Sequence, residues 1–365
     1  MGNYTEEIKK QNILKLRKLL AEMPPFCADY FRGIAGSKGE RTRVGYCRNI
    51  FTFLQFIIQQ NPVYKNTKMK ELPMRVLEEM TPADMDEYME YLRYYTIDGV
   101  EYRNSEATIA RNLSAISNMY NFFNKRQAVK NNPLNAIERP KLHDKAIIAL
   151  DQDQIFALMD AVDDTKNMSN RQKKLHDATV DRDRAILSIF LGTGMRVSEL
   201  AGLDIDDIDL KNQTFCVIRK GGNEEYVYFG DEICDALFRY LLSDDSDNET
   251  RTKSPREALI KEDSDEKALF LSLRGTRMAV RSIEVMVKKY SSKIQTNKKI
   301  TPHKLRSTYG TALYRETGDI YLVADVLGHK DVNTTKKHYA DQSNENRKRA
   351  ADIVSLNRKS SKPST

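Results

Sequence analysis

Ile109, Leu113, Ile116, Tyr120 and Phe123 step along the chain by threes and fours, a spacing that predicts a helix with one apolar face opening at Ser105. The same rhythm recurs from Arg43 to Gln60, carried by Val44, Ile50, Phe51, Phe53, Leu54, Ile57 and Ile58. It returns after Thr81-Pro82-Ala83-Asp84 in Met85, Tyr88, Met89 and Leu92. There Thr81 is suited to cap a helix and Pro82 to occupy its first turn, where a missing N–H costs nothing. Residues 1–24 read as a separate helix, with Ile8, Leu16, Leu19 and Leu20 near one face and Pro24-Pro25 as its stop. The predicted organisation is therefore a helical domain over 25–142, closed by the polar connector 138–145.

A different pattern follows. Helical signals resume at Asp151, and Arg182 to Leu191 forms an apolar helix ended by Gly192-Thr193-Gly194. Phe215 to Phe229 alternates β-forming residues about Gly221-Gly222-Asn223, a hairpin signature. Leu269 to Leu273 reads as a short strand, with helices over Ser282 to Ile294 and Leu305 to Thr317. Residues 243–266 hold 9 acidic and 4 basic side chains, net −5, and read as a mobile charged insertion. The expected fold class is mainly α with a small β-sheet (α+β). A mixed α/β domain covers 143–345, and an amphipathic helix and tail occupy 346–365.

Bulk properties exclude several classes. No stretch approaches the roughly 18 apolar residues of a membrane helix. The first ten residues lack the apolar run of a secretory signal, and Glu6 stands where a myristoylation site needs Ser or Thr. Cys27, Cys47, Cys216 and Cys234 are widely spaced without a Cys-x-x-Cys pair, which argues for reduced thiols in a cytoplasm and against zinc or a disulfide framework. Net charge is +7, from 59 basic and 52 acidic residues. Residues 1–142 hold 22 basic and 16 acidic residues, so 22 − 16 = +6 lies there, a surplus consistent with nucleic acid.

Chemistry-bearing residues concentrate in the second half. Arg196 follows a Gly-Thr-Gly turn and begins a short helix, where backbone N–H groups and the helix dipole favour an anion. Its planar guanidinium matches two phosphate oxygens. His303 and Arg306, spaced H-x-x-R after Pro302, share a helix face. Lys220 sits at the predicted hairpin tip, His329 closes Leu327-Gly328, and Tyr339 lies on the last helical segment before the tail. Singly, each has a structural explanation: Arg196 pairing with Glu199, a capping His303, turn chemistry at Lys220, a core aromatic at Tyr339. Together they supply phosphate clamps, proton donors and a nucleophile for cutting a phosphodiester without a metal.

H-K-L-R-S-T-Y-G-T from His303, L-G-H-K-D-V-N-T-T-K-K-H-Y-A from Leu327, and G-T-G-M-R-V-S-E-L-A-G-L from Gly192 resemble the signature of the tyrosine recombinases, also called the phage integrase family. The resemblance covers about 150–345. It implies a core-binding domain ahead of a catalytic domain, and a site-specific DNA recombinase working through a 3′-phosphotyrosyl intermediate. It implies Tyr339 as nucleophile, Arg196 and Arg306 as phosphate clamp, Lys220 as general acid, His303 as acid/base and His329 as phosphate donor. Glu199 is implied as a supporting carboxylate. No cofactor, metal or ATP is implied. The implied partners are double-stranded recombination sites and a homo-tetramer assembled on them, a dimer or monomer when free, with the C-terminal helix docked either on a neighbouring subunit or on its own. The implied type is a mobile-element or Xer-like recombinase acting at the cytoplasmic nucleoid. Arg41, Arg43, Arg48, Arg103, Arg111 and Lys125 are candidates for DNA phosphates. Departures are a ten-residue gap from His329 to Tyr339, acidic Glu224 and Glu225 after the hairpin tip, and the 243–266 insertion. The competing readings are a type IB topoisomerase and a DNA-binding accessory protein without catalysis.

Overall fold

The structure, a computed structural model, describes residues 2–97, 99–142, 148–219, 222–242, 253–261, 266–329 and 332. The chain forms two compact units, one over 2–144 and one from 145 onward.

The first unit is helical. Helix α1 (Gly2–Leu20) packs along α3 (Glu40–Gln60), and its Leu16 is buried in the same core as Tyr30, Phe53 and Tyr120. The helix read as separate is thus part of this unit, because its Leu16 stripe has nowhere else to leave water. Pro25, expected only as a stop, opens α2 (Pro25–Gly33) at its first position. Val76–Glu79 forms the short α4. Helix α5 (Pro82–Arg93) begins as expected: Thr81 Oγ1 accepts from the Asp84 N–H, and an Asp84 carboxylate oxygen accepts from the Thr81 N–H at 2.7 Å. Ser105 caps α6 (Glu106–Lys125), whose Ile109, Leu113, Ile116, Tyr120 and Phe123 are all buried.

Between α5 and α6 lies an antiparallel hairpin of β1 (Tyr94–Ile97) and β2 (Val100–Arg103), which the helical reading did not anticipate. Its signal was Asp98-Gly99 between two runs of β-formers. Gly99 has φ +77, as such a turn demands. Tyr95 stacks on Tyr91 and on Tyr102 at centroid distances of 5.0 Å each, joining the ribbon to α5.

The second unit is built around α9 (Val180–Thr193). Ala185, Ile186, Leu187, Ile189 and Phe190 on it are fully buried, because it packs against α7 (Gln152–Asp163), α11 (Asp231–Leu241) and α13 (Pro302–Thr317). Helices α8 (Asn170–Asp177), α10 (Val197–Gly202), α12 (Val280–Ser291) and α14 (Ile320–Val326) complete it. The sheet runs β3 (Ile208–Asp209), β4 (Thr214–Ile218), β5 (Glu224–Tyr228), antiparallel throughout. Phe215, Val217 and Val227 face the core, while Tyr226 and Tyr228 face outward. The expected strand at 269–273 contributes only single bridges, Leu271 to Arg277 and, one step earlier, Ala268 to Asp204.

The charged insertion is partly anchored. Ser254 and Arg256 are buried, and the Arg256 guanidinium donates to the carbonyls of Glu266, Ala268 and Leu269. An arginine so buried is tolerated because its donors meet acceptors. Residues 243–252 and 262–265 lie outside the described residues. No helix among the described residues is long and apolar enough to cross a membrane.

Candidate active site

Three helix ends assemble the site. The first is the end of α9. Gly194 takes φ +62 and closes the helix, its N–H donating to Phe190 O. A Cβ here would lie 2.7 Å from Tyr309 and 2.8 Å from Leu327, so the packing as well as the conformation requires glycine. This turn delivers Arg196 as N-cap of α10. Glu199 Oε2 accepts from the Arg196 backbone N–H at 2.9 Å, and Oε1 accepts from Arg196 Nη1 at 2.7 Å. One buried carboxylate therefore caps the helix and orients the guanidinium. The local pair expected from sequence does form. It leaves the Arg196 side chain 34 % exposed, accessible to a ligand.

The second end is the start of α13. Thr301 caps it and Pro302 is its first residue. His303 on the first turn is exposed, whereas Arg306 is buried and donates to Gly194 O at 2.6 Å and to Leu327 O.

The third is the end of α14. His329 N–H donates to Ala324 O at 2.8 Å and Gly328 N–H to Asp325 O at 2.7 Å, with Gly328 at φ +59. That is a Schellman closure, the reason Leu-Gly-His ends a helix here. It leaves the carbonyls of Val326, Leu327 and Gly328 pointing onward, at the negative end of the helix dipole. Guanidinium groups meet all three. Arg196 Nη2 donates to Gly328 O at 2.8 Å, and Arg306 donates to Leu327 O. Arg219 Nη1 donates to Leu327 O at 2.8 Å and Nη2 to Val326 O at 3.3 Å. Half-buried His329 follows directly. Three guanidiniums against Glu199 and Glu225 leave a net charge of 3 − 2 = +1 on these five groups, suited to an anion.

The structure thus brings Arg196 and Arg306 onto the turn that precedes His329, with Glu199 holding Arg196, and places His303 on the helix that carries Arg306. Lys220 and Tyr339 lie outside the described residues. Arg219 was missed from sequence; its signal was its place beside Lys220 in the hairpin. Of the six candidate DNA contacts, Arg41, Arg48, Arg103, Arg111 and Lys125 are exposed. Arg43 is half-buried and hydrogen-bonded to Glu40 at 3.4 Å.

The pattern of the Phage integrase family matches residues 149–346. The tyrosine recombinase XerS of Streptococcus uberis is 30 % identical over 369 residues, covering 93 % of this chain and 97 % of that protein. The tyrosine recombinase XerD of Staphylococcus epidermidis is 30 % identical over 237 residues, 65 % of this chain and 72 % of that one. A solved structure, the XerH site-specific recombinase bound to palindromic difH substrate in a post-cleavage complex, shares the fold with a TM-score of 0.63. Its identity is 20 %, covering 86 % of this chain and 80 % of that one. The chain belongs to the phage integrase family, the tyrosine recombinases. It is accordingly a site-specific recombinase, an enzyme that cleaves and rejoins DNA.

Proposed function

We propose that Tyr339 is the nucleophile and that Arg196 and Arg306 hold the phosphate it attacks. The observation that carries this reading is the convergence of both arginines on the turn that precedes His329. A phenol is a weak nucleophile at its usual pKa of about 10. Guanidinium groups beside the phosphate favour the phenolate and stabilise charge developing on the non-bridging oxygens. Attack forms the tyrosyl–phosphorus bond and breaks the bond to the 5′ oxygen, which takes its proton from Lys220. His303 exchanges the phenol's proton and His329 donates to a phosphate oxygen. A 5′-hydroxyl from another strand then reverses the step, exchanging one phosphoester for another of similar energy, so ATP is not needed.

The DNA partner is a duplex bearing specific sites, bound by a homo-tetramer, and the biological setting is a mobile element. In the first unit Arg41 and Arg48 fall about 20° apart around α3, and Arg111 and Lys125 about 40° apart around α6, so each pair can follow one backbone.

A nicked substrate that loses its 5′ end on cleavage traps the covalent intermediate. The native enzyme is expected to give a protein–DNA band on a denaturing gel, and Tyr339→Phe to bind the same DNA without one. A band from the Phe variant would assign the nucleophile elsewhere.

A further inference from the structure

We infer that Arg219 is a positioning residue that ties the β4–β5 hairpin to the turn at 326–328, and through that tie supports the general-acid step of cleavage. The inference rests on the proposed role of Lys220 as general acid. Arg219 is the residue immediately after β4 and before Lys220. Its backbone belongs to the hairpin: its N–H donates to Asn223 O at 2.9 Å, and its carbonyl accepts from Gly222 N–H at 3.0 Å. Its side chain, 9 % exposed, reaches from the hairpin to span the carbonyls of Leu327 and Val326. Glu225 Oε2, across the hairpin, lies 3.1 Å from Nε, a charge contact without hydrogen-bond alignment. The guanidinium is thus held on one side by its own hairpin and on the other by α14.

The receiving surface is shaped for it. A Cβ on residue 328 would lie 2.0 Å from Arg219 Nη1 and 2.5 Å from Cζ, so the side chain occupies the space that glycine leaves. The turn itself is already held by its Schellman closure and by Arg196 and Arg306. Removing Arg219 therefore loosens the hairpin more than the turn. Lysine cannot replace it, because one ammonium does not reproduce a planar fork across two carbonyls.

The test compares native protein, Arg219→Lys and Arg219→Ala. Hydrogen exchange of the free proteins is expected to speed up at 214–228 in both variants and to change less at 320–329. Both variants are expected to bind DNA within about twofold of native. Covalent-adduct formation at saturating DNA should fall on the order of a hundredfold, the scale of a displaced catalytic group. A substrate with sulfur at the scissile 5′ position, whose thiolate leaves without a proton, is expected to restore most of that loss. Unchanged exchange in the hairpin, full activity in Arg219→Lys, or DNA binding that weakens in step with the rate would each overturn the inference. Lys220→Ala on the same two substrates judges the parent reading separately: failure of sulfur to rescue that variant removes Lys220 as the acid, while the exchange data still decide whether Arg219 holds the hairpin.

Discussion

Arg196 and Gly328 stand 132 positions apart, yet a single hydrogen bond from Nη2 to the glycine carbonyl, 2.8 Å long, joins the start of α10 to the end of α14. With Glu199 on its other edge, the guanidinium is fixed in plane before any substrate arrives. Preorganisation of this kind makes a charged donor effective, since no reorientation is required as charge develops.

Arg196→Ala is expected to lower single-turnover cleavage by about 10²–10³-fold, the usual loss of one donor to a developing oxyanion. The variant leaves the buried Glu199 carboxylate without its ion-pair partner, so a lower urea midpoint is expected alongside the slower cleavage. Cleavage close to the native rate would remove Arg196 from the phosphate clamp.

Gly328→Ala combines two costs. A non-glycine residue in the left-handed region costs roughly 1–2 kcal/mol. The added Cβ also collides with the Arg219 guanidinium. A lower denaturation midpoint and slower cleavage are both expected, and native values of both would show that the turn relaxes freely.

His176 predicts a pH effect on stability. It is buried, its Nδ1 meets no hydrogen-bond partner among the described residues, and burial together with Lys289 and Lys293 lowers its pKa below the ordinary 6.5, against the opposing pull of Asp177 and Asp183. The unfolded chain therefore takes up this proton first as pH falls. Stability associated with His176 is full above about pH 6.5 and declines below it, until the folded state also protonates. Urea midpoints measured from pH 7.5 to 5 should drop, and His176→Gln should flatten that part of the curve. An unchanged slope in the variant would place the effect on other groups.

Thr81→Ala removes a side-chain acceptor for the start of α5 and disrupts the reciprocal pair with Asp84. The expected cost is about 1 kcal/mol. It is measured by urea unfolding of the full chain, with DNA cleavage as a check that the second unit is undisturbed.

Thr81-Pro82, Ser105, Asp151 and Pro302 marked the starts of four helices from sequence alone, and Gly194 marked the end of α9, because caps act across two to four neighbouring residues. The apolar stripe from Ile109 to Phe123 was legible for the same reason: its period is a property of one helix. The motifs around Arg196, His303 and His329 were readable as types and spacings. Sequence alone did not show that the carbonyls of 326–328 would be met by guanidiniums from three separate elements, or that Arg219 and Gly328 would share one volume. Nor did it show that Arg256 would anchor a charged insertion whose composition reads as loop. Those contacts join residues far apart in the chain, and each exists only where packed elements bring a donor and a carbonyl within about 3 Å. Local chemistry determined where elements begin and end and which reactive groups the chain carries. Tertiary packing decided which of those groups meet, since burial forces every stranded carbonyl to find a donor wherever the fold supplies one.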